Sequence, residues 1–446
     1  MKMFFDTVII GGGPAGCACG ITLRKQNVGC CIIDKACFPR NKTCGGLVTA
    51  KTFELINALF GNDTETVSGL FCNSVSEAAL YQKTKKLVQA DFSEEVRFVE
   101  RASFDNALIH RFLRLGGVLF ENEQKYKVDH VQRQIFLSEN RVICYKNIVY
   151  ADGAFSSAHR KFNAGIERNT DSCCGKSSRR FSTLSYGKGS SGSSAACCGK
   201  SSRRSQKACC ENYVRQIRNG KSTQTDAPED MAFCVETFLP GDAFDLNEIR
   251  LHFGYAENGY VWVFPYGDSI CVGAGGSYLK KVDFKEVLKG FLEDEGISTE
   301  GLVFKGAFCP NGSLVSQKFL PDNMLLIGDA AGFADPISGE GLYFGMLSGI
   351  AAAKALRRRN PRKAYLKMVK PVCQLIQDGQ RLQQFFYRPR IQRRFVQGAT
   401  GNRLFVKYYF DNQVSHYYYG YRRMLQLYLD YKKLKERNQK LKEISC

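Results

Sequence analysis

Along the chain the apolar positions change period several times, and those changes outline the fold. Thr7-Val8-Ile9-Ile10 is a short run of the kind that fills a strand buried on both faces. A glycine turn follows, then a helix-compatible stretch from Pro14 to Gln26, then the apolar run Gly29–Ile33 closed by Asp34. Strand, helix and strand in that length form a βαβ unit. Residues 52–98 and 231–320 alternate apolar and aromatic positions with helical patches between them, the pattern of a second, sheet-based domain. Val142–Val149 reads as a further strand, and residues 321–357 as strand, glycine-rich turn and helix. No apolar run reaches the roughly 18 residues of a membrane-crossing helix, and the early strand argues against a signal peptide.

The 446 residues carry a formal net charge of +20. Two segments account for all of it. Residues 171–221 hold 11 Lys/Arg against 2 Asp/Glu, and residues 351–446 hold 23 against 5. The remainder is slightly acidic, so the basicity belongs to two added segments. The octamer CCGKSSRR occurs at 173–180 and again at 197–204 around a Gly/Ser-rich spacer. Adjacent cysteines are awkward chelators of one metal, so the reading is a local duplication in a poorly packed insertion, with no metal site. The 19 cysteines of a long chain are expected as reduced thiols. A cytoplasmic location follows.

The chemistry starts at the first turn. Gly11-Gly12-Gly13-Pro14-Ala15-Gly16 follows a strand and opens a helix. Gly11 permits the tight turn, Gly13 lets the backbone approach a pyrophosphate, and Gly16 allows the helix to pack on the strand. Asp34, 23 residues after Gly11, stands where an acid hydrogen-bonds a ribose hydroxyl. Dinucleotide binding is the expectation, with Ala15 and Lys35 included in the contact set. The cluster Gly273-Ala274-Gly275-Gly276 lacks the third glycine in its proper place, so it is not a second nucleotide loop.

Three later pieces point to FAD: Arg101 before Ala102-Ser103-Phe104-Asp105, Asp152 in Tyr150–Ser156, and Gly328-Asp329 after Leu325-Leu326-Ile327. With these motifs the chain resembles flavoproteins of the p-hydroxybenzoate hydroxylase fold, and within them the geranylgeranyl reductase family. The resemblance covers most of residues 6–350, apart from the insertion. It implies that Asp329 serves the FAD ribityl or pyrophosphate region, and that the turn around Gly339 and Gly341 runs past the flavin ring. It also places Arg40, Cys44, Gly45 and Gly46 beside the flavin, with Cys44 near the substrate as the candidate catalytic residue. A redox disulfide between Cys37 and Cys44 is disfavoured, because six residues separate them and no second nucleotide domain follows.

Tyr260, Trp262, Phe264 and Pro265, then seven residues, then Gly273 and Gly275, are similar to the family's Tyr-x-Trp-x-Phe-Pro and Gly-x-Gly pattern. In a strand, positions 260, 262 and 264 share a face, and three rings there form a wall for a hydrocarbon chain. These residues are expected to bind substrate.

The expected architecture is α/β. A discontinuous Rossmann-type FAD-binding domain (1–165 with 321–357) carries a 166–230 insertion. An antiparallel-sheet substrate domain spans 231–320, with part of it near 52–98, and a basic, aromatic, helical region fills 358–446. The resemblance implies reduction of isoprenoid double bonds, with electrons from NAD(P)H or a ferredoxin-like carrier. A monooxygenase of the same fold and a non-catalytic flavin protein are the alternatives. The C-terminal region is expected to meet an anionic membrane surface rather than nucleic acid.

Overall fold

In a computed structural model the described residues are 2–156, 158, 231–244, 247–277, 282–318, 320–386, and positions 390, 407, 410, 411 and 426. The duplicated octamer and most of the basic C-terminal region lie outside them.

In chain order the strands are β1 (Lys2–Ile10), β2 (Cys30–Ile33), β3 (Leu47–Val48), β4 (Phe71–Gln82), β5 (Lys85–Val99), β6 (Val118–Phe120), β7 (Lys127–Asp129) and β8 (Gln134–Phe136). They continue as β9 (Val142–Tyr150), β10 (Met231–Pro240), β11 (Ile249–Phe253), β12 (Gly259–Tyr266), β13 (Ser269–Ser277), β14 (Lys305–Pro310) and β15 (Met324–Leu326). The helices are α1 (Pro14–Lys25), α2 (Ala50–Phe60), α3 (Thr64–Ser68), α4 (Arg101–Arg114), α5 (Phe284–Asp294), α6 (Leu342–Leu356) and α7 (Pro361–Phe386).

The first sheet runs β6-β2-β1-β9-β8-β7, and β15 pairs with the Ile148–Tyr150 end of β9. Its centre is parallel: β1 pairs with β2 and β9, β2 with β6, and β15 with β9. β1 begins earlier than its apolar core, at Lys2, because its half-exposed first residues still find partners on β9 from Val142 onward. Pro14 at the first helical position and an unbroken buried run from Gly16 to Leu23 make α1 a core helix. It packs on β1 and β2 and against α4 and α6.

The second sheet runs β14-β10-β13-β12-β11-β4-β5-β3, so residues 71–99 join strands drawn from 231–310. β12 explains how this sheet serves two cores. Val261 and Val263 face α5 in one apolar cluster, while Tyr260, Trp262 and Phe264 face another with Phe98 and Cys271. The strand period of two separates them. β13 passes straight through Gly273–Gly276 without turning, and the turn lies earlier, between Tyr266 and Ser269.

Candidate active site

The first turn of the parallel sheet forms an open cradle. Gly11 has φ +107°, and a Cβ there would meet the Ala151 carbonyl oxygen at 2.3 Å, so only glycine allows β1 and β9 to end side by side. Gly13 caps α1 with no side-chain hydrogen bond, which leaves first-turn N–H groups for an anion. A Cβ on Gly13 would meet nothing nearer than Arg40 at 3.5 Å, and one on Gly339 nothing within 4 Å. Both backbones are therefore open to a ligand. Ala15 and Gly16 form the first turn of α1, where Ala15 packs against Gly328 and Gly345.

Asp34, at the end of β2, is buried and accepts the Gly12 N–H at 2.6 Å and the Ala36 N–H at 2.8 Å. The two bonds fix the carboxylate beside the glycine turn, and its remaining lone pairs fit ribose hydroxyls. Lys35 is exposed. Arg40 reaches back to Asp105 at 3.2 Å and lies over the Phe38 ring. Asp105 is fully buried and takes a bidentate pair from Arg101 at 2.9 and 3.0 Å. Two arginines thus share one carboxylate, leaving an excess positive charge near Gly13. Burial disfavours the charge on the Arg101 guanidinium, and the Asp105 carboxylate more than offsets that cost. Asp152 follows β9 directly.

The second half of the cradle comes from residues 328–341. Gly328 and Asp329 open a short 3-10 turn after β15. Burial raises the Asp329 carboxyl, and Lys42 and Arg101 oppose that rise. Asp335 accepts from the backbone N–H groups of Ile337 and Ser338, which shapes the loop up to Gly341 and the start of α6. Glu340 pairs with buried Lys51 at 2.8 Å and accepts from Thr49.

Gly273 and Gly275 of β13 are explained by the side chains opposite them. A Cβ on Gly273 would lie 2.1 Å from the Trp262 indole, and one on Gly275 2.5 Å from the Cys234 sulfur. Trp262 therefore lies flat across β13, 30° from the plane of Phe264. Gly45 sits directly over Phe264 and near the indole nitrogen. Gly46 packs on Val99 and Tyr266. Tyr260 donates its hydroxyl to the Ser338 carbonyl at 2.8 Å, joining the aromatic face to the 335–341 loop. Among the described residues the buried Trp262 N–H has no strong acceptor, and its neighbour, the Cys271 thiol, is a weak one.

The structure thus brings Cys44, Gly45, Gly46, Tyr260, Trp262, Phe264, Gly273 and Gly275 together. It leaves out Pro265, which has the opposite strand parity and pairs with Ile270 in the next strand. Trp262 and Phe264 are 8% and 9% exposed, so they form a largely covered wall beneath the Cys44–Gly46 run. Glu236 was missed by the sequence reading. It accepts the Cys44 N–H at 3.0 Å across 192 positions of chain, a separation that carries no local signal.

A glycine-turn cradle, an acid at the end of the second strand, and a returning strand with Gly-Asp define a protein that binds FAD; the chain is an FAD-dependent oxidoreductase. Residues 5–179 match the pyridine nucleotide-disulphide oxidoreductase family. An uncharacterized protein of Methanosarcina barkeri is 25% identical over 360 residues, covering 79% of this chain and 74% of that protein. The digeranylgeranylglycerophospholipid reductase of Methanococcus aeolicus is 35% identical over 131 residues, 27% of this chain and 33% of that reductase. A solved geranylgeranyl bacteriochlorophyll reductase-like protein of Thermoplasma acidophilum superposes with a TM-score of 0.66 at 16% identity, covering 96% of each chain. A solved probable FAD-dependent monooxygenase of Pseudomonas aeruginosa shares the fold, with a TM-score of 0.58 at 15% identity over 89% of this chain and 99% of that chain. No helix among the described residues is long and apolar enough to cross a membrane.

Proposed function

We propose that this oxidoreductase reduces carbon–carbon double bonds of an isoprenoid or similarly hydrophobic chain. The observation that carries the reading is the Tyr260–Trp262–Phe264 face, set against Cys44–Gly46 and tied to Ser338 in the loop past Asp335. The partial likeness to an archaeal lipid reductase supports the same substrate class.

Bound FAD supplies the hydride. The first turn of α1, with Arg40 close by, holds the pyrophosphate, Asp34 holds the ribose, and Asp329 the ribityl side. Glycines 339 and 341 let the backbone lie against the ring system. The aromatic face orients the hydrocarbon and excludes water, and Cys44 lies at the substrate edge. NAD(P)H or a ferredoxin-like carrier is the proposed electron source. The basic region 358–446 is proposed to rest on the anionic surface from which a lipid substrate is drawn.

The test is anaerobic. The holoprotein is reduced with dithionite and mixed with a geranylgeranyl lipid, while flavin absorbance and product mass are followed. Return of the oxidised spectrum together with a product heavier by two hydrogens per reduced bond supports the proposal. Reoxidation only on admitting oxygen, with an oxygenated product, replaces it with a monooxygenase.

A further inference from the structure

Glu236 lies mid-strand in β10, opposite Gly273 of β13 and Lys305 of β14. The glycine opposite it is the one that makes room for the Trp262 indole. Its side chain therefore emerges beside the aromatic face, where Oε1 accepts the Cys44 N–H at 3.0 Å. The residue is 3% exposed. Lys42, Lys305 and Arg101 are the cations that act on it, and the Cys271 thiol shares its surroundings. Among the described residues none of the cations closes an ion pair with it. Burial pushes the carboxyl up, and this outweighs all three positive charges together. A carboxyl withdrawn from water without a contact counter-ion favours its neutral form.

We propose that Glu236 is the proton donor of the alkene reduction. The assignment rests on the reading of the function given above. The π bond of the alkene breaks as one carbon takes hydride from the reduced cofactor. The neighbouring carbon takes the proton from Glu236 Oε2, and two C–H bonds result. Glu236 is left as a carboxylate, which Arg101, Lys42 and Lys305 stabilise until solvent returns the proton. Oε1 stays on the Cys44 amide throughout, so the acid is oriented by the same loop that covers Trp262 and Phe264.

Glu236→Gln separates this role from a structural one. The amide oxygen of glutamine still accepts the Cys44 N–H, but the side chain has no acidic proton. The variant is expected to bind FAD stoichiometrically and to be reduced by dithionite as the wild type is. Its reoxidation by a geranylgeranyl lipid is expected to fall by about 100-fold or more, the usual worth of a placed general acid. The wild-type reoxidation rate is expected to drop as pH rises through the Glu236 pKa, and that limb to vanish in the variant. A second readout uses protein stripped of cofactor. An infrared carboxyl band that titrates above the range of ordinary glutamates should be present in wild type and absent in Glu236→Gln. Reoxidation of the variant at the wild-type rate, or no such band, overturns the assignment. Wild-type protein that no alkene reoxidises overturns the functional reading itself, and the proton donor with it.

Discussion

The His252 imidazole stacks on Tyr81 with centroids 4.3 Å apart and meets the Phe291 ring edge at 4.7 Å. Nδ1 lies 2.9 Å from the Lys83 carbonyl oxygen, so that nitrogen carries the proton and donates it. Nε2 is buried and has no partner among the described residues. Desolvation holds the ring neutral down to about 4. The unfolded chain, with an ordinary histidine near 6.5, binds the proton first. Stability therefore falls as pH drops from about 6.5 to about 4, and this contribution is constant below that. The loss is roughly 3 kcal/mol over the window. Urea unfolding as a function of pH is expected to show this slope, and His252→Phe to remove most of it. A second prediction at this scale uses the single tryptophan of the chain. Gly273→Ala places a methyl inside the space of the indole. The expected cost is about 1–3 kcal/mol, with a shift in tryptophan emission; unchanged emission and stability would contradict the packing described for β12 and β13.

Between elements, the Lys51–Glu340 pair fastens the start of α2 to the loop ahead of α6. Lys51 is 5% exposed. Burial lowers its amine and raises the Glu340 carboxyl, and each partner offsets the shift of the other. Lys51→Met takes the counter-ion from the buried Glu340 carboxylate and leaves it the Thr49 hydroxyl, so it is expected to destabilise by about 3–5 kcal/mol. The double variant Lys51→Met/Glu340→Leu should recover much of that loss in thermal melts. Losses that simply add in the double variant would show that the charges do not depend on each other. Elements were also where the sequence was most readable. The glycine turn, α1 and Asp34 are encoded within about 30 consecutive residues, and the alternation of β12 assigns Tyr260, Trp262 and Phe264 to one face directly. Gly273 and Gly275 were recognisable by spacing, but their purpose was not, because it depends on the Trp262 ring and the Cys234 sulfur of the neighbouring strands. The ties of Glu236 to Cys44 and of Lys51 to Glu340 depend on contacts across 192 and 289 positions of chain. No local periodicity records a contact of that kind.

At the scale of the whole molecule, the cradle is assembled from pieces distant in sequence: the 11–16 turn, Asp34 to Gly46, Arg101 with Asp105, Asp152, and residues 328–341. Protein contacts already join some of them, such as Arg40 to Asp105 and Gly12 to Asp34. Others are proposed to be bridged by bound FAD. The start of α1 has no side-chain cap, a Cβ on Gly13 would touch Arg40 at 3.5 Å, and one on Gly339 would meet nothing within 4 Å among the described residues. A ligand that binds only the folded form stabilises it by mass action, about 2.7 kcal/mol at one hundred times its dissociation constant. Protein stripped of FAD is therefore expected to melt several degrees lower than protein with FAD restored at that excess. Hydrogen exchange should locate the difference. Amides of 37–46 and 335–341 are expected to exchange faster without FAD. The β7–β8 hairpin at the far edge of the first sheet should exchange alike in both forms, since it contributes no residue to the cradle. Faster exchange spread evenly over both sheets would mean that FAD supports the fold as a whole, whereas a change confined to these two segments identifies them as the parts that the cofactor clamps.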